Sequence, residues 1–342
     1  MFRVALSGDL LNKDGSFAYP DIDLSLLNDK NLEWEIVNTS KEIKAEELEG
    51  FDALILLGHR FTKKSVPKNN KLSIIARFGV GYDTVDLEAC NSNSIALVIT
   101  PDGIRRPVAV SVMAFILSLT GNMFIKDRIT RNGQWNSRSQ YMGKGLVGKK
   151  LGFIGFGNIG GEIVKLAKAF DMSFLAYDPY ADKKKLESLE VNFVDINTVF
   201  KESDIITVNC ALTDETKNIV NAEKISMMKD TSYLINTSRG PVVDQKALYE
   251  ALISKKIAGA GLDVFEKEPP DLDDEILKLD NVILAPHSLC WTDEMFYQCG
   301  KDDIEAVKNV MIGKQPKNIV NKKILKDQIW IEKLLNYKKK YF

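Results

Sequence analysis

The chain has two histidines, His59 and His287. His287 stands in "NVILAPHSLCW", directly after Pro286, where an apolar run and presumed strand end. Imidazole changes charge near neutral pH, so a histidine at a strand end can give a proton to a reacting oxygen. It can equally be a packing residue, and the residue type alone leaves both readings open. His59, in "LLGHRF", reads as a loop residue. A second group of residues points to a nucleotide. In "LGFIGFGNIGGEIVKLAKAF", Gly155, Gly157 and Gly160 form G-x-G-x-x-G between an apolar run and a helical pattern. That spacing allows a tight turn, an open approach for a pyrophosphate and close helix–strand packing. The N–H groups at the helix start, at Asn158 and Ile159, are placed to receive phosphate charge. Asp178, in "FLAYDPY", follows at the end of the next strand. A carboxylate there accepts hydrogen bonds from both ribose hydroxyls and repels a 2′-phosphate, so NAD is expected rather than NADP.

The elements that must position these residues follow from hydrophobic periodicity. Strand candidates run "FRVAL", "WEIV", "ALILL", "LSIIA", "IALVI", then "LGFIG", "SFLAY", "DIITV", "SYLIN", "GAGLDV" and "NVIL". Helical spacing separates several of them, as at 159–170 and 244–254. Strand–helix alternation predicts parallel sheets covered on both faces. The strands are too many for one comfortable sheet, so two doubly wound domains are expected. The break falls near "TPDGIRRPVAV", with Pro107 opening a nearly apolar helix over 107–120 that runs between the domains. The return crossing is the helix after "CWTDE", with Thr292 as its N-cap. The division reads as 1–104 plus 289–321 for one domain and 105–288 for the nucleotide domain. The segment 322–342 carries lysines 322, 323, 326, 333, 338, 339 and 340 against Asp327 and Glu332, so +7 − 2 = +5. It reads as a basic tail: a solvated amphipathic helix with a frayed end, or an anchor for an acidic partner.

Composition narrows the function classes. The 342 residues are 45% apolar and 27% charged, an ordinary globular mix. Lys+Arg 46 against Asp+Glu 47 leaves no global field toward nucleic acid or membrane. We expect no signal peptide at "MFRVALSGDLL" and no membrane-spanning run. Cys90, Cys210, Cys290 and Cys299 form no CxxC pair, which favours the cytoplasm, and with two histidines they argue against a zinc site.

From about residue 50 to 321 the chain resembles the D-isomer-specific 2-hydroxyacid dehydrogenases, including the phosphoglycerate dehydrogenase and hydroxypyruvate–glyoxylate reductase branches. "ARFGVGYDTVD" is similar to the family's substrate loop, "INTSRGPVVD" to its arginine motif, "GLDVFEKEPP" to its glutamate motif and "NVILAPHS" to its histidine motif. All four stand in the family's order. The resemblance implies a Rossmann NAD domain inserted into a flavodoxin-like substrate domain, and a catalytic trio of Arg239, Glu268 and His287. His287 would protonate the substrate oxygen as hydride arrives, and Glu268 would stabilise the imidazolium. Arg239 would hold the substrate carboxylate and polarise the carbonyl. Asp263 matches the acid near the nicotinamide carboxamide. Val80 and Gly81 match backbone donors to the substrate carboxylate. Arg60 and Arg77 resemble arginines that approach phosphorylated substrates, and Arg77 resembles a structural residue as well.

The resemblance also implies the partners: a small anionic 2-hydroxy or 2-keto acid, and a second copy of the chain. The segment after the interdomain helix, "IKDRITRNGQWNSRSQYMGKGLVG", would reach a homodimer partner, with Trp135 as anchor and Arg138 near the neighbouring site. Val110, Gly121–Asn122 and Ala211 depart from common family residues, and Trp291 is bulkier than many counterparts. The end at residue 342 leads us to expect the form without a serine-sensing domain. Formate dehydrogenases, which resemble a pattern with glutamine at position 268, are set aside by Glu268. The competing reading is a nucleotide-sensing scaffold, like the corepressors that share this fold.

Overall fold

The computed structural model describes residues 1–182, 184 and 187–342. They divide into two compact units, Met1–Ile104 with Trp291–Phe342, and Arg105–Cys290.

In the first unit, β1 (Phe2–Leu6), β2 (Leu32–Ile36), β3 (Ala53–Leu56), β4 (Ile74–Arg77) and β5 (Ala96–Ile99) form a parallel sheet in the order β2-β1-β3-β4-β5. This is the flavodoxin-like order. β3 is buried at every position, as a central strand covered on both faces must be. β2, "LEWEI", alternates buried and more open residues because it is an edge strand. The links after β1, β2 and β3 carry short 3-10 turns, while α1 (Leu87–Ser92) precedes β5. The sheet is therefore less fully wrapped by crossover helices than strict alternation implies.

The segment 322–342 is no separate tail, contrary to the expectation. Helix Gln328–Tyr341 is capped by Asp327, whose side chain accepts from the Trp330 amide. Trp330 is 2% exposed, and its Nε1 donates to the Ser73 carbonyl at 3.0 Å. The Tyr337 hydroxyl meets the buried Asp52 carboxylate at 2.9 Å, and Lys333 Nζ donates to the Leu72 carbonyl at 2.9 Å. Asp52 and Ser73 immediately precede β3 and β4, so the helix covers the amino ends of the central strands. Burial lowers the Lys333 ammonium to about 8.

In the second unit, β6 (Lys150–Ile154), β7 (Ser173–Tyr177), β8 (Asn192–Phe193), β9 (Ile205–Val208), β10 (Tyr233–Asn236), β11 (Gly259–Leu262) and β12 (Val282–Leu284) form a parallel sheet. Its order, β12-β11-β10-β9-β6-β7-β8, winds both ways from the β6/β9 switch point, the Rossmann arrangement with one strand added. The two-residue β8 has no counterpart among the sequence-based strands, being too short to show a period.

Helix α2 spans Pro101–Thr120, with Pro107 inside it rather than at its start. Pro101 fills the first helical position, and Pro107 merely lacks the N–H that would bond four residues back. By length and composition α2 is apolar enough to cross a membrane, contrary to the reading that no such run exists. Ala109, Val112, Phe115 and Ile116 are instead core residues, which accounts for its apolar character. Next come α3 (Met123–Arg131), α4 (Asn158–Ala167), α5 (Ile196–Glu202), α6 (Ala222–Met227) and α7 (Gln245–Ile253). The chain then enters α8 (Asp293–Met311), where Thr292 Oγ1 accepts from the Met295 amide at 3.2 Å as the expected N-cap. The helix Gln328–Tyr341 is α9.

Candidate active site

The turn from β6 into α4 builds the nucleotide site. Gly155 has φ +83°, and a Cβ there would sit 2.6 Å from the Cys210 nitrogen, so no other residue fits. Gly157 is exposed, with nothing within 4 Å of where a Cβ would lie. No side chain caps α4, so its first-turn amides, at Asn158, Ile159 and Gly160, point to an open face suited to an anion. Asp178 accepts the Phe156 amide on Oδ2 and the Tyr180 amide on Oδ1, both at 2.8 Å. The fingerprint turn thus fixes the carboxylate one strand away, and the unused lone pairs can meet a ribose diol. These features fit an NAD dinucleotide.

The trio comes from three neighbouring strands. Arg239 follows β10, Asp263 and Glu268 follow β11, and His287 follows β12. Because β10, β11 and β12 are adjacent and parallel, their loops leave the same sheet edge. Asn236, the last residue of β10, folds the arginine loop. Its Oδ1 accepts from the Ser238 amide at 3.0 Å, and its Nδ2 donates to the Arg239 carbonyl at 3.0 Å. A Cβ at Gly240 would lie 1.8 Å from the Phe265 oxygen, so only glycine lets the arginine loop rest on the glutamate loop. Gln245 secures that second loop, accepting from the Glu266 amide at 3.0 Å and donating to Asp274 at 2.8 Å.

Glu268 Oε1 accepts from the Phe265 amide at 3.0 Å, and Oε2 lies 2.8 Å from His287 Nδ1. Burial pushes the Glu268 carboxyl up, but the bond to His287, its charge, the Phe265 amide and the Arg239 guanidinium together outweigh it. The group is held below its ordinary value of 4.5. His287 has φ +54°, a left-handed conformation that costs energy for a non-glycine residue. Two carboxylates hold it there. Glu268 grips the ring, and the buried Asp263 accepts from the Ser288 and Leu289 amides at 3.0 and 3.2 Å. Burial pushes the Asp263 carboxyl up, with those amides opposing. With Nδ1 engaged, Nε2 is the ring nitrogen left to face a reacting oxygen. An apolar cavity lined by Phe265, Pro269, Leu284 and Pro286 adjoins the pair.

The remaining candidates lie in the first unit. Val80 and Gly81 follow β4, and among the described residues no hydrogen bond is recorded for their amides. Arg77 ends β4, with a guanidinium nitrogen 3.4 Å from where a Gly79 Cβ would lie. Its charge also opposes the upward push of burial on the Asp303 carboxyl, so it serves its own domain. Arg60 is exposed in the loop after β3. Sequence reasoning missed Asn236 and Gln245. The signal for Asn236 was an Asn directly before the "TSRG" turn, where side-chain amides commonly bond the backbone two residues on. Gln245 had no local signal.

Residues 113–288 match the model for the D-isomer specific 2-hydroxyacid dehydrogenase, NAD binding domain. The chain is 40% identical over 284 residues to the D-3-phosphoglycerate dehydrogenase of Methanocaldococcus jannaschii, covering 82% of this chain and 54% of that protein. It therefore spans about half the length of that relative. It is 36% identical over 285 residues to the hydroxypyruvate reductase of Thermotoga maritima, covering 82% of this chain and 92% of that one. Among solved structures, the D-lactate dehydrogenase of Aquifex aeolicus complexed with NAD and lactic acid superposes with a TM-score of 0.79 at 28% identity. That match covers 94% of this chain and 97% of the other. With half its length inside the family model and full-length relatives above 30% identity, the chain belongs to the D-isomer specific 2-hydroxyacid dehydrogenase family.

Proposed function

We propose that the protein is an NAD-dependent oxidoreductase that interconverts a small D-2-hydroxy acid and its 2-keto acid, of the hydroxypyruvate, glyoxylate or 3-phosphoglycerate class. The observation that carries this reading is the His287–Glu268 pair, 2.8 Å long, on strand ends of the sheet that also bears the nucleotide turn. NAD, when bound, supplies or accepts the hydride at the nicotinamide. In reduction, His287 Nε2 gives its proton to the carbonyl oxygen as the carbon gains hydride. Glu268 stabilises the imidazolium before that transfer and orients the ring. Arg239 binds the carboxylate and polarises the carbonyl. Asp263 holds the turn that carries His287 through the Ser288 and Leu289 amides, and the family resemblance would make it an acceptor for the carboxamide. Val80 and Gly81 offer amides to the carboxylate.

We propose in addition a homodimer through the 105–290 unit. Val110, Leu117, Met123, Phe124, Trp135 and Met142 are all exposed there and are available to an interface. Trp135 is 63% exposed, with the Arg138 guanidinium over its ring at 5.5 Å.

The test is a steady-state panel with NADH and glyoxylate, pyruvate, hydroxypyruvate and 3-phosphohydroxypyruvate. Loss of NADH absorbance with at least one of them is expected. Absence of turnover above background with all four refutes the activity.

A further inference from the structure

The nucleotide turn lies between two loops that are tied to each other. In the seven-stranded sheet β6 stands between β9 and β7, so the loops after β9 and β7 flank the turn of Gly155 and Gly157. Open doubly wound sheets take their ligand in the crevice outside the carboxyl ends of the strands at the switch point, here β6/β9. The Tyr180 hydroxyl, on the β7 side, donates to Glu215 Oε2, on the β9 side, at 2.8 Å. Neighbouring strands lie about 4.8 Å apart, so the two loops start from strands about 10 Å apart. The bond therefore passes across the end of β6 rather than along one side of it.

Both ends of the bond are held. The Tyr180 amide donates to Asp178 Oδ1 at 2.8 Å, while Asp178 Oδ2 accepts from the Phe156 amide of the glycine turn at 2.8 Å. On the other side a tight turn presents Glu215. The Thr213 amide donates to Thr216 Oγ1 at 2.8 Å, the Thr216 hydroxyl donates to the Ala211 carbonyl at 2.6 Å, and the Lys217 amide donates to the Thr213 carbonyl at 2.9 Å. That loop also rests on the glycine turn, where a Cβ at Gly155 would lie 2.6 Å from the Cys210 nitrogen. Tyr180 is 81% exposed, so burial does not account for where its ring sits. It stands two residues after Asp178, the carboxylate suited to the ribose. The bond therefore lies at the adenosine end of the site, and β12, which leads to His287, is at the other edge of the sheet.

We propose that the Tyr180–Glu215 bond is a clasp across the adenosine end of the nucleotide site, which opens each time the dinucleotide enters or leaves. It sets the rate of cofactor exchange without adding to cofactor affinity. The bond is made in the free and in the bound protein and is broken at the barrier between them. It therefore slows entry and release by one and the same factor. A group that bonds to the cofactor itself acts on release instead. The clasp depends on NAD binding, and on neither the acid reduced nor the direction of the reaction.

The test is stopped-flow binding of NADH to the whole chain. Entry is read from nucleotide fluorescence at several NADH concentrations, and release from displacement by excess NAD. In Tyr180→Phe, which keeps the ring, both rate constants rise about threefold to tenfold, the scale of one hydrogen bond, and Kd stays within about twofold. Glu215→Ala does the same. Glu215→Gln, which keeps an acceptor oxygen, stays within about twofold of wild type in both rates. The double variant Tyr180→Phe/Glu215→Ala is no faster than either single variant, because each removes the same bond.

A faster release alone, with Kd weakened in proportion, makes Tyr180 a contact of the cofactor and overturns the clasp. Unchanged rates in Tyr180→Phe overturn it as well, and so does additive acceleration in the double variant. A wild-type protein that binds no NADH overturns it together with the cofactor. NADH binding without turnover of any keto acid counts against the activity proposed above, and the exchange rates still decide the clasp.

Discussion

At the residue scale, Glu268 and His287 form a hydrogen-bonded pair, 2.8 Å long. The Glu268 carboxyl is held below its ordinary 4.5, so it is ionised through the neutral range and loses its charge as pH falls through that lowered value. In the proposed reduction, the proton on the imidazole is what the reaction consumes at the alkaline side. In the Glu268→Gln variant the imidazolium has no anionic partner and gives up its proton at lower pH. The alkaline limb of the pH–rate profile for keto-acid reduction therefore moves to lower pH, read from kcat/KM between pH 5 and 9 in steps of about half a unit. A profile that stays in place contradicts the pairing. In the same assay His287→Gln loses roughly 10²–10⁴ in kcat, the usual scale for a proton donor, while NADH binding by fluorescence is unchanged. A variant retaining most of its activity contradicts the donor assignment.

At the element scale, the last helix does structural work far from the chemistry. Within the first unit, α9 packs through Trp330, Lys333 and Tyr337, three and four residues apart on one helical face. Its exposed side carries Lys338, Lys339 and Lys340, which the net charge of the segment reflects. Removing the buried indole leaves a cavity and an unpaired Ser73 carbonyl. Trp330→Ala is expected to cost about 3–5 kcal/mol, seen as a lower urea midpoint with little change in slope. A change below about 1 kcal/mol, the scale of an exposed site, would mean the helix is not docked as described.

At the scale of the whole molecule, the proposed dimer would bury the apolar residues displayed by α2, α3 and the turn beginning at Trp135. An indole 63% exposed among Gly, Asn, Gln and Ser is poorly placed in water and well placed as an interface anchor. Light scattering at micromolar concentration is expected to give twice the monomer mass, and Trp135→Ala to move it toward one monomer. A wild-type protein that scatters as a monomer removes the dimer, and with it any part for Arg138 in a neighbouring subunit.

What the sequence alone determined is what local period and spacing encode. The apolar runs marked every strand except the two-residue β8. The glycine triplet with Asp178 marked the nucleotide turn, and motif order marked Arg239, Glu268 and His287. These signals are legible because each is written within a few consecutive residues. Tertiary structure decided the rest. Pro107 reads as a helix start, yet the helix begins at Pro101, because its apolar residues are fixed by the core they enter and one missing N–H costs less than that burial. The basic segment reads as a solvated tail, yet Ser73 and Asp52, distant in sequence, give Trp330 and Tyr337 their partners. His59 reads as an ordinary loop residue, and only the meeting of the loops after β1, β2 and β3 sets Thr39 against its ring. Hydrogen bonds between distant segments leave no period in a sequence, since either partner alone is an unremarked polar residue.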